Sequence, residues 1–294
     1  MAELSIIILN YKTPDVTLSC VESLYKFYKN EFEKNMFDVV ILENGSGDNS
    51  LEKIKKGIAV KKWKHVFVLE SKENLGFGNG CNFAAKQSKR AHILFLNSDT
   101  TVKSNTLPAM SEFLSSHKEI AVLGGKMVNP DGSNQLSASK FYTLGNFFLM
   151  IFGLRRFGVL VSSPAAISQV DWVSGGCMMV QREIFEKING FDKQYFMYME
   201  DMDLCFRARK KNYQTVFFPS FVVIHALHGS SNKSFAIMHI YKGLLHFYQM
   251  YFPGLQYNLV RFTLRAKAYT LIFAGKIMHN EYFMGTYEKA LGVC

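Results

Sequence analysis

The chain opens with short apolar runs that alternate with stretches of helical spacing. The apolar runs are residues 4–9, 39–42, 66–69 and 93–96, and the helical stretches are residues 16–27 and 79–89. Thr13 and Pro14 resemble a helix start, with Thr13 as N-cap and Pro14 in the first helical position. Alternation of this kind predicts an α/β fold with a mostly parallel sheet flanked by helices.

Polar, glycine-rich segments follow the carboxyl ends of the predicted strands. ENGSGDNS follows the second strand and ENLGFGNG follows the third. Ligands of open α/β sheets bind at this edge, so we expect one crevice to collect the polar residues of these loops. They are Asn10, Glu43, Asn44, Asn74, Gly76 and Asp99. The alternative is that each loop is polar only because it is exposed to water.

The glycine-rich loop does not fit a dinucleotide-binding fingerprint. That fingerprint requires GxGxxG directly after the first strand. Here Gly76 and Gly78 follow the third strand, and Cys81 stands in the place of the third glycine. We therefore discard a nicotinamide cofactor.

Residues 93–101, ILFLNSDTT, show a buried strand that ends in a carboxylate. Asp99 at the mouth of the sheet is costly unless it meets a cation or hydrogen-bond donors. It is therefore a candidate ligand for a hard divalent ion, Mg²⁺ or Mn²⁺, which takes oxygen ligands and bridges phosphates. The alternative makes Asp99 a cap for the segment that follows.

A second acidic cluster lies in FMYMEDMDLCFRARKKN, residues 196–212. On a helix, Asp201 shares an apolar face with Leu204, Cys205 and Ala208. Asp203 shares its face with Phe206, Arg207 and Lys210. We therefore expect Asp203 to be a solvated salt-bridge partner. Asp201, pointing toward the apolar side near a helix start, is either a capping group or a general base.

The segment VVIHALHGSS, residues 222–231, is a strand-like run that ends in His225, with His228 three residues later. A histidine at a strand end is either structural or a metal ligand. If Asp99 binds a metal, a neutral imidazole of His225 would complete the coordination of Mn²⁺.

The composition places the chain among folded globular proteins. Its 294 residues fit one large domain or one domain with an appendage. A hydrophobic fraction of 48% excludes disorder, and 14% aromatic residues suggest apolar surface that faces something other than water. The 5 cysteines lie without CxxC spacing, which excludes a zinc site or disulfide framework and favours a reducing compartment.

No segment of the chain predicts a membrane span, and the net positive charge is concentrated in the C-terminal tail. The N-terminus carries an acid where a secretory signal carries positive charge, so we interpret it as the first strand. The apolar segment 147–154 is cut off by Arg155 and Arg156, short of the roughly 18 to 20 residues that span a bilayer. The net charge is +10, and residues 232–294 hold seven Lys and Arg against two Glu. This tail predicts an anionic neighbour.

In combination, these motifs resemble family 2 inverting glycosyltransferases of the GT-A fold, close to the bacterial rhamnosyltransferase-like branch. In order, they are NY, ENGSGDNS, ENLGFGNG, LNSDT, DWVSGGCMMVQREIFEKINGFD, FMYMEDMDLCFRAR and VVIH. The resemblance covers residues 4 to about 231. It implies a GT-A nucleotide-sugar domain at 1–231, followed by a basic, aromatic-rich helical extension at 232–294.

The resemblance also implies a nucleotide-diphospho-sugar donor in the crevice. The residues implied to bind it are Asn10, Tyr11, Glu43, Asn44, Asn74, Gly76, Asn97, Ser98 and Asp99. Glu43 stands where the family usually has Asp, and Asn97 begins a DxD-type motif in which Asp99 would carry most of the metal contact. His225 matches a further ligand of the Mg²⁺ or Mn²⁺ ion.

The same resemblance assigns the catalytic and turn residues. Asp201 matches the general base, with Glu200 supporting it, and Gly175 and Gly176 match a tight turn that lets the backbone approach donor and acceptor. The metal would neutralise the departing diphosphate while one carboxylate removes the proton of the acceptor hydroxyl. One displacement inverts the sugar; a retaining enzyme would need a further nucleophile, and none is indicated.

Two segments leave alternatives open. FFLMIFGLRRFGVLV, residues 147–161, is either an acceptor-side flap or a core helix, and Trp172 is a candidate platform for a sugar or lipid.

Residues 241–278 alternate aromatic and basic residues, as in an interfacial helix. They also fit helices packed on the catalytic domain, and both can hold. We expect peripheral contact with anionic membrane at the cytoplasmic face of the inner membrane.

The leading prediction is a transferase that moves L-rhamnose from dTDP-rhamnose to a hydroxyl of a lipid-linked or glycan acceptor in bacterial surface polysaccharide synthesis. The alternative is a UDP-hexose glucosyl- or galactosyltransferase, since Glu43 replaces Asp. A non-catalytic nucleotide-sugar-binding module would have lost Asp99 or Asp201, and both are present. Nucleic-acid binding is not expected, because the basic tail has no recognition motif.

Overall fold

The computed structural model describes residues 3–135, 137–151, 153, 161–226 and 233–294. The strands are β1 Leu4–Asn10, β2 Phe37–Asn44, β3 Val66–Ser71, β4 His92–Leu96, β5 Thr100–Val102, β6 Ile120–Val128, β7 Ala138–Ser139, β8 Val161–Ser162, β9 Ser168–Val170, β10 Trp172–Val173, β11 Cys177–Gln181 and β12 Gln214–His225. The helices are α1 Pro14–Glu33, α2 Ser50–Lys61, α3 Phe77–Ala85, α4 Leu107–Ser116, α5 Leu144–Ile151, α6 Arg182–Lys187, α7 Glu200–Lys210, α8 Lys233–Tyr251, α9 Leu255–Ile277 and α10 Glu281–Leu291.

A large twisted sheet forms the centre of the molecule. Within the described ranges it has nine strands in the order β3-β2-β1-β4-β11-β6-β12-β5, with β9 paired to β12. Six of these strands, β1, β2, β3, β4, β6 and β12, run in one direction, while β5, β9 and β11 run in the other. The predicted α/β fold with a mostly parallel sheet is confirmed. Strands β7, β8 and β10 form a small separate sheet.

The parallel strands bring their carboxyl ends to one edge. Asn10 at the end of β1 lies opposite Glu43 on β2, and His225 at the end of β12 lies opposite Thr100 on β5. Strands β1, β2 and β4 are buried along nearly their whole length, as their apolar runs require. The polar residues that follow these strands therefore meet at this edge of the sheet, as predicted.

Helices cover both faces of the sheet. One hydrophobic cluster joins the sheet to α1, α2 and α4, with members such as Leu24, Ile54 and Met110. The other joins it to α3, α6, α7 and the three C-terminal helices, with members such as Ala84 and Phe247. The sheet therefore lies between two packed layers of helices.

The predicted start of α1 is confirmed, whereas the bounds of α3 and the segment after Asp99 differ from the prediction. Helix α1 begins at Pro14 with Thr13 as N-cap, although the Thr13 side chain makes no capping hydrogen bond. Helix α3 covers Phe77–Ala85 instead of 79–89. Because Thr100–Val102 forms a strand, Asp99 lies in a turn between two strands.

The C-terminal residues form helices α8, α9 and α10, as predicted, and pack on the rest of the protein. The rings of Phe247 and Phe206 have centroids 5.0 Å apart. No helix in the described part of the chain is long and apolar enough to cross a bilayer. Helix α5, in which Phe147 is buried, covers the first part of the segment 147–161. Residues 152 and 154–160 of that segment lie outside the described residues, as does His228.

Candidate active site

Asp201 lies in the first turn of α7 and is held by two backbone hydrogen bonds. Its Oδ2 accepts from the Gly175 N–H at 3.0 Å, and its Oδ1 accepts from the Met202 N–H at 2.8 Å. Burial raises the pKa of the carboxyl above the ordinary value of 3.8, while the two backbone donors oppose this rise. The group is thus fixed in one orientation and made more basic, which suits a general base.

Glu200, the neighbouring acid, is buried without a hydrogen-bond partner. Its side chain is 5% exposed, and its Oε2 meets no donor or acceptor among the described residues. Burial raises the pKa of Glu200 well above its ordinary range, and the nearby charge of Asp201 raises it further. Of the two acids, Glu200 is therefore the one whose surroundings favour the protonated form more strongly.

The backbone that leads into α7 is strained. Tyr198 and Met199 have φ of 67° and 75°, which is the left-handed region and is costly for two successive residues with side chains. Two other elements hold this turn. The Phe196 carbonyl oxygen accepts from the Phe77 N–H at 2.8 Å, and Gly243 of α8 packs so closely that a Cβ there would lie 2.8 Å from Met199 Cγ. Helices α3 and α8 therefore position the two acids of α7.

Gly175 and Gly176 form a turn that joins Asp201 to the end of β4. The Gly176 carbonyl oxygen accepts from the Asn97 N–H at 3.0 Å. A Cβ on Gly175 would lie 2.9 Å from the Phe77 ring, and one on Gly176 would lie 2.9 Å from Asn97 Nδ2. A side chain at either position would require Phe77 or Asn97 to move, so glycine lets the backbone pack closely against both.

Asp99 and His225 meet at the same edge. Asp99 Oδ1 lies 3.1 Å from His225 Nε2, and Asn97 Nδ2 also lies 3.1 Å from that nitrogen. On the other side of the ring, Gln135 Oε1 lies 2.9 Å from Nδ1. The Gln135 amide nitrogen donates to the His225 carbonyl and to Asn129 Oδ1, at 2.8 and 2.7 Å. Gln135 Oε1 is therefore left to accept from Nδ1–H, and Nε2 keeps its lone pair.

This arrangement fits a divalent cation. The Nε2 lone pair of His225 and the carboxylate oxygen of Asp99 repel each other at 3.1 Å unless a proton or a cation lies between them. Over the described ranges, no group of three or more His, Cys, Asp and Glu side chains is arranged to hold a metal. The chain thus offers two side-chain ligands, which suits Mg²⁺ or Mn²⁺ because these ions commonly keep water and phosphate oxygens as ligands.

The residues predicted to bind the nucleotide from β1 and β2 are buried at the edge. The Oδ1 of Asn10 accepts from Thr17 Oγ1 at 2.8 Å, while its Nδ2 has no partner in the described part of the chain. Glu43 Oε1 accepts from the N–H of Ser46 at 3.0 Å and also from the Ser46 hydroxyl. Asn10 therefore has an unpaired donor that is buried at the edge of the sheet, whereas one oxygen of Glu43 closes the loop after β2.

Asn44, Asn74 and Gly76 shape the loop before α3. Asn44 Nδ2 lies 3.2 Å from both Asn74 Oδ1 and the Gly76 carbonyl, and Asn44 Oδ1 accepts from the Leu75 N–H at 3.1 Å. Gly76 has φ of 77°, and a Cβ there would lie 2.0 Å from the Phe196 carbonyl oxygen. These three residues hold the loop in place, and direct contact with a ligand stays a prediction.

Tyr11, Ser98 and Trp172 are partly exposed, as are Asn74, Asn97, Asp99, Asp201 and His225 of the predicted set. The Lys12 ammonium lies 5.4 Å from the centre of the Tyr11 ring. The indole N–H of Trp172 donates to the Lys140 carbonyl at 2.9 Å, and its ring meets the edge of Tyr142. All three keep surface available for a substrate, and their roles stay predictions.

The expectation that Asp203 is solvated was wrong. Asp203 does pair with Arg207, whose Nε lies 2.7 Å from the carboxylate, but the residue is 0% exposed. The Tyr251 hydroxyl of α8 donates to the same carboxylate at 2.7 Å. Burial raises the pKa of Asp203, and Arg207 and Tyr251 oppose that rise. The helix face predicted to meet water is covered by α8.

Sequence reasoning missed three residues that hold the site. They are Gln135, which orients His225, and Phe196 and Gly243, which support the turn before α7. Gln135 lies 90 residues from His225, and Gly243 belongs to the tail. Gln135 and Gly243 lie outside the motifs, and Phe196 begins one of them, but the motif does not reveal its hydrogen bond to Phe77, because each residue acts through a contact between distant segments.

Two family models match the chain. The one described as "Glycosyl transferase family 2" matches residues 5–189, which is more than half of the chain. The one described as "N-terminal domain of galactosyltransferase" matches residues 155–229, a range that contains α7 and the end of β12.

Curated relatives include two rhamnosyltransferases. The N-acetylglucosaminyl-diphospho-decaprenol L-rhamnosyltransferase of Mycobacterium tuberculosis is 28% identical over 206 residues, 64% of this chain and 66% of that protein. The rhamnosyltransferase WbbL of Escherichia coli is 31% identical over 169 residues, 54% of this chain and 64% of that protein. The matches span just under two thirds of each relative's length.

A solved structure supports the fold. The crystal structure of GalNAc-T7 with UDP, GalNAc and Mn²⁺ superposes with a TM-score of 0.68, covering 91% of this chain and 51% of that chain. At 13% sequence identity this likeness concerns the fold alone. The GT-A fold expected from the motifs is confirmed.

Proposed function

Since the chain belongs to glycosyl transferase family 2, we propose that it moves one sugar from a nucleotide-diphospho-sugar to an acceptor hydroxyl, with inversion. The observation that carries this proposal is the Gly175–Gly176 turn. One of its glycines donates to Asp201 at 3.0 Å and the other accepts from Asn97 at 3.0 Å. A basic carboxylate and the Asn97–Asp99 motif are thereby tied to the two ends of one short turn.

Asp201 is the general base of this proposal. Its raised pKa makes the ionised carboxylate a better proton acceptor, and its two backbone hydrogen bonds keep an oxygen aimed in one direction. Proton removal from the acceptor hydroxyl lets its oxygen attack the anomeric carbon as the bond to the diphosphate breaks. Glu200 stays neutral beside it, so the buried pair carries one negative charge and not two.

Asp99 and His225 are the proposed ligands of Mg²⁺ or Mn²⁺. The support is the 3.1 Å approach of the Asp99 carboxylate to the Nε2 lone pair that Gln135 orients. A bound ion would supply neutralisation of the leaving diphosphate. Asn10, whose amide nitrogen is buried and unpaired, lies at the same edge beside Glu43 on β2, and both stay proposed contacts of the nucleotide.

The favoured donor is dTDP-rhamnose and the favoured acceptor is a lipid-linked or other glycan of bacterial surface polysaccharide synthesis. The names of the two relatives support rhamnose, and the name of the mycobacterial one includes a decaprenol diphosphate. We place the reaction at the cytoplasmic face of the inner membrane, with peripheral contact to anionic lipid. A UDP-hexose donor is the second candidate, favoured by Glu43 and by the galactosyltransferase family match over residues 155–229.

The decisive test of catalysis is Asp201→Asn. It keeps the size of the side chain but removes the proton acceptor, so turnover should fall by about 10² to 10⁴-fold while nucleotide binding changes little. Sugar transfer and nucleotide release measure the first, and titration calorimetry measures the second. The matched control is Asp131→Asn in an exposed turn, which should leave both unchanged. Unchanged turnover in Asp201→Asn would remove this residue from the mechanism.

Donor class and metal are tested by thermal shift with dTDP, UDP and GDP, each with and without Mn²⁺. A ligand that binds only the folded state raises its melting temperature by mass action. We expect the largest shift with dTDP and Mn²⁺, and we expect Asp99→Ala to abolish the Mn²⁺-dependent part. A larger shift with UDP would select the hexose alternative. No shift with any nucleotide would contradict a nucleotide-sugar donor.

A further inference from the structure

Helix α9 carries a row of exposed apolar side chains, which we call the α9 stripe. It consists of Leu255, Leu259, Phe262, Tyr269, Phe273 and Ile277, exposed by 83%, 37%, 69%, 54%, 65% and 64%. Their spacings of three, four and seven residues place them on one face of the helix. Over the 23 residues of α9 this row runs about 34 Å. Contiguous apolar surface of this length marks a contact site.

The stripe does not belong to the core of the protein. Val260, Leu264, Ala268 and Gly275 form the buried face of α9. At 100° per residue that face lies opposite the stripe. Helix α9 therefore already packs on the rest of the protein through its buried face, and the stripe points in the opposite direction. Folding of this chain leaves the stripe without a partner among the described residues.

The charges beside the stripe are all positive. Arg265 and Lys276 lie along one border of the stripe, Arg261 beyond them donates to the Cys294 carbonyl, and Lys267 lies on the other side of the helix. There is no Asp or Glu anywhere in α9. An apolar row bordered by cations is the pattern of a helix that lies flat in the interface of an anionic bilayer.

We propose that the α9 stripe docks on a bilayer that contains anionic phospholipid, with α9 parallel to the membrane surface. Its large side chains would enter the boundary between headgroups and acyl chains, and the bordering cations would contact lipid phosphates. A second copy of the chain is a poorer partner. Two α9 helices placed face to face would bring cations together with no carboxylate on either helix to pair them.

Contacts connect α9 to α5, and α5 through α8 to Tyr142, whose ring packs against Trp172. Lys267 Nζ donates to the Ile151 carbonyl at the end of α5, at 3.4 Å. The α5 ring of Phe147 packs on Tyr248, whose hydroxyl donates to the Tyr142 carbonyl at 2.8 Å. Docking would thus hold Trp172 and the residues packed around it close to the membrane. That this delivers the enzyme to a lipid-linked acceptor rests on the proposed function, whereas the assignment of lipid contact to α9 rests on the exposed stripe and its cations.

The test is co-sedimentation of the whole chain with vesicles of equal parts phosphatidylglycerol and phosphatidylcholine, and with vesicles of phosphatidylcholine alone. We expect binding to the mixed vesicles at low salt and little binding to the neutral ones. Phe262→Gln/Phe273→Gln should weaken binding by at least about tenfold, because two rings lose their burial in lipid. Arg265→Gln/Lys276→Gln should weaken it by about tenfold and flatten its dependence on salt.

The matched control is Val60→Gln/Phe67→Gln, which removes two apolar side chains exposed by 70% and 53% on α2 and β3. It should bind vesicles like the wild type. Failure of the wild type to bind, or equal binding by the stripe variant, overturns the proposal. So does a stripe variant that instead loses a dimer in sedimentation velocity. Nucleotide thermal shifts of the wild type without vesicles keep this result separate: their absence would count against the proposed function only.

Discussion

Two neighbouring carboxyl groups on α7 differ because of what surrounds each. Asp201 accepts two backbone hydrogen bonds, whereas Glu200 Oε2 has no partner among the described residues. Burial raises the pKa of both, and the charge of Asp201 adds to the rise at Glu200. Adjacent acids with unequal surroundings divide into an ionised base and a neutral neighbour. This division makes stability depend on pH.

We expect Glu200→Gln to gain stability relative to the wild type as pH rises. Below the ordinary glutamate pKa of 4.5, Glu200 is protonated in the folded and the unfolded chain. Above that value the unfolded chain releases the proton while the folded chain keeps it, so the wild type loses stability until the raised folded pKa is passed. Glutamine cannot ionise and is spared this loss.

Urea denaturation of both proteins from about pH 4 to about pH 8 measures the effect as a changing difference in the free energy of unfolding. The control is Glu112→Gln at an exposed site on α4, for which the difference should stay flat. A flat difference for Glu200→Gln as well would show that Glu200 is ionised in the folded protein.

At the scale of elements, the conformation of the turn that leads into α7 depends on α8. Tyr198 and Met199 adopt positive φ just before the catalytic acids, and such a conformation persists only where the surroundings hold it. Gly243 brings the α8 backbone against Met199, and His246 Nε2 lies 3.0 Å from Asp192 Oδ2 nearby. Helix α8 is thus part of the support of the site.

We expect Gly243→Ala to lower turnover by about tenfold or more, because a displacement of the base by a fraction of an ångström spoils its alignment. The new Cβ would lie 2.8 Å from Met199 Cγ, so the turn must shift. Nucleotide binding should persist. Gly285→Ala on α10 is the matched control, since no atom lies within 4 Å of its added Cβ. It should keep activity and gain about 0.5–1 kcal/mol of stability. Equal turnover in both variants would contradict the supporting role of α8.

At the scale of the whole molecule, the C-terminal helices share a hydrophobic cluster with the sheet. Leu244 of α8, Leu264 of α9 and Ala290 of α10 belong to the same cluster as Phe95 of β4 and Met202 of α7. A division into units at 1–231 and 232–294 stays a prediction. The shared cluster indicates that the two parts stabilise each other.

We expect the fragment 1–231 to lose cooperative unfolding, because removal of α8 to α10 exposes the apolar partners of that cluster and leaves Asp203 without Tyr251. Thermal melts followed by circular dichroism, with dye binding to exposed apolar surface, measure this. Phe262→Gln/Phe273→Gln, which changes only the exposed face of α9, should melt like the wild type. A fragment with a sharp melt would instead establish 1–231 as an independent unit.

Local patterns in the sequence were enough to predict strands β1 to β4, helix α1 and the edge of the sheet that Asn10, Glu43 and Asp99 share, whereas the roles of Asp201 and His225 came from the family resemblance. Apolar spacing decides which side chains can face a core, and parallel strands bring their polar ends together. Only the tertiary structure decided that Asp203 is buried and that Gln135 leaves a lone pair on His225. These outcomes depend on partners 48 and 90 residues away, and spacing along the chain does not encode which distant segment covers a given face.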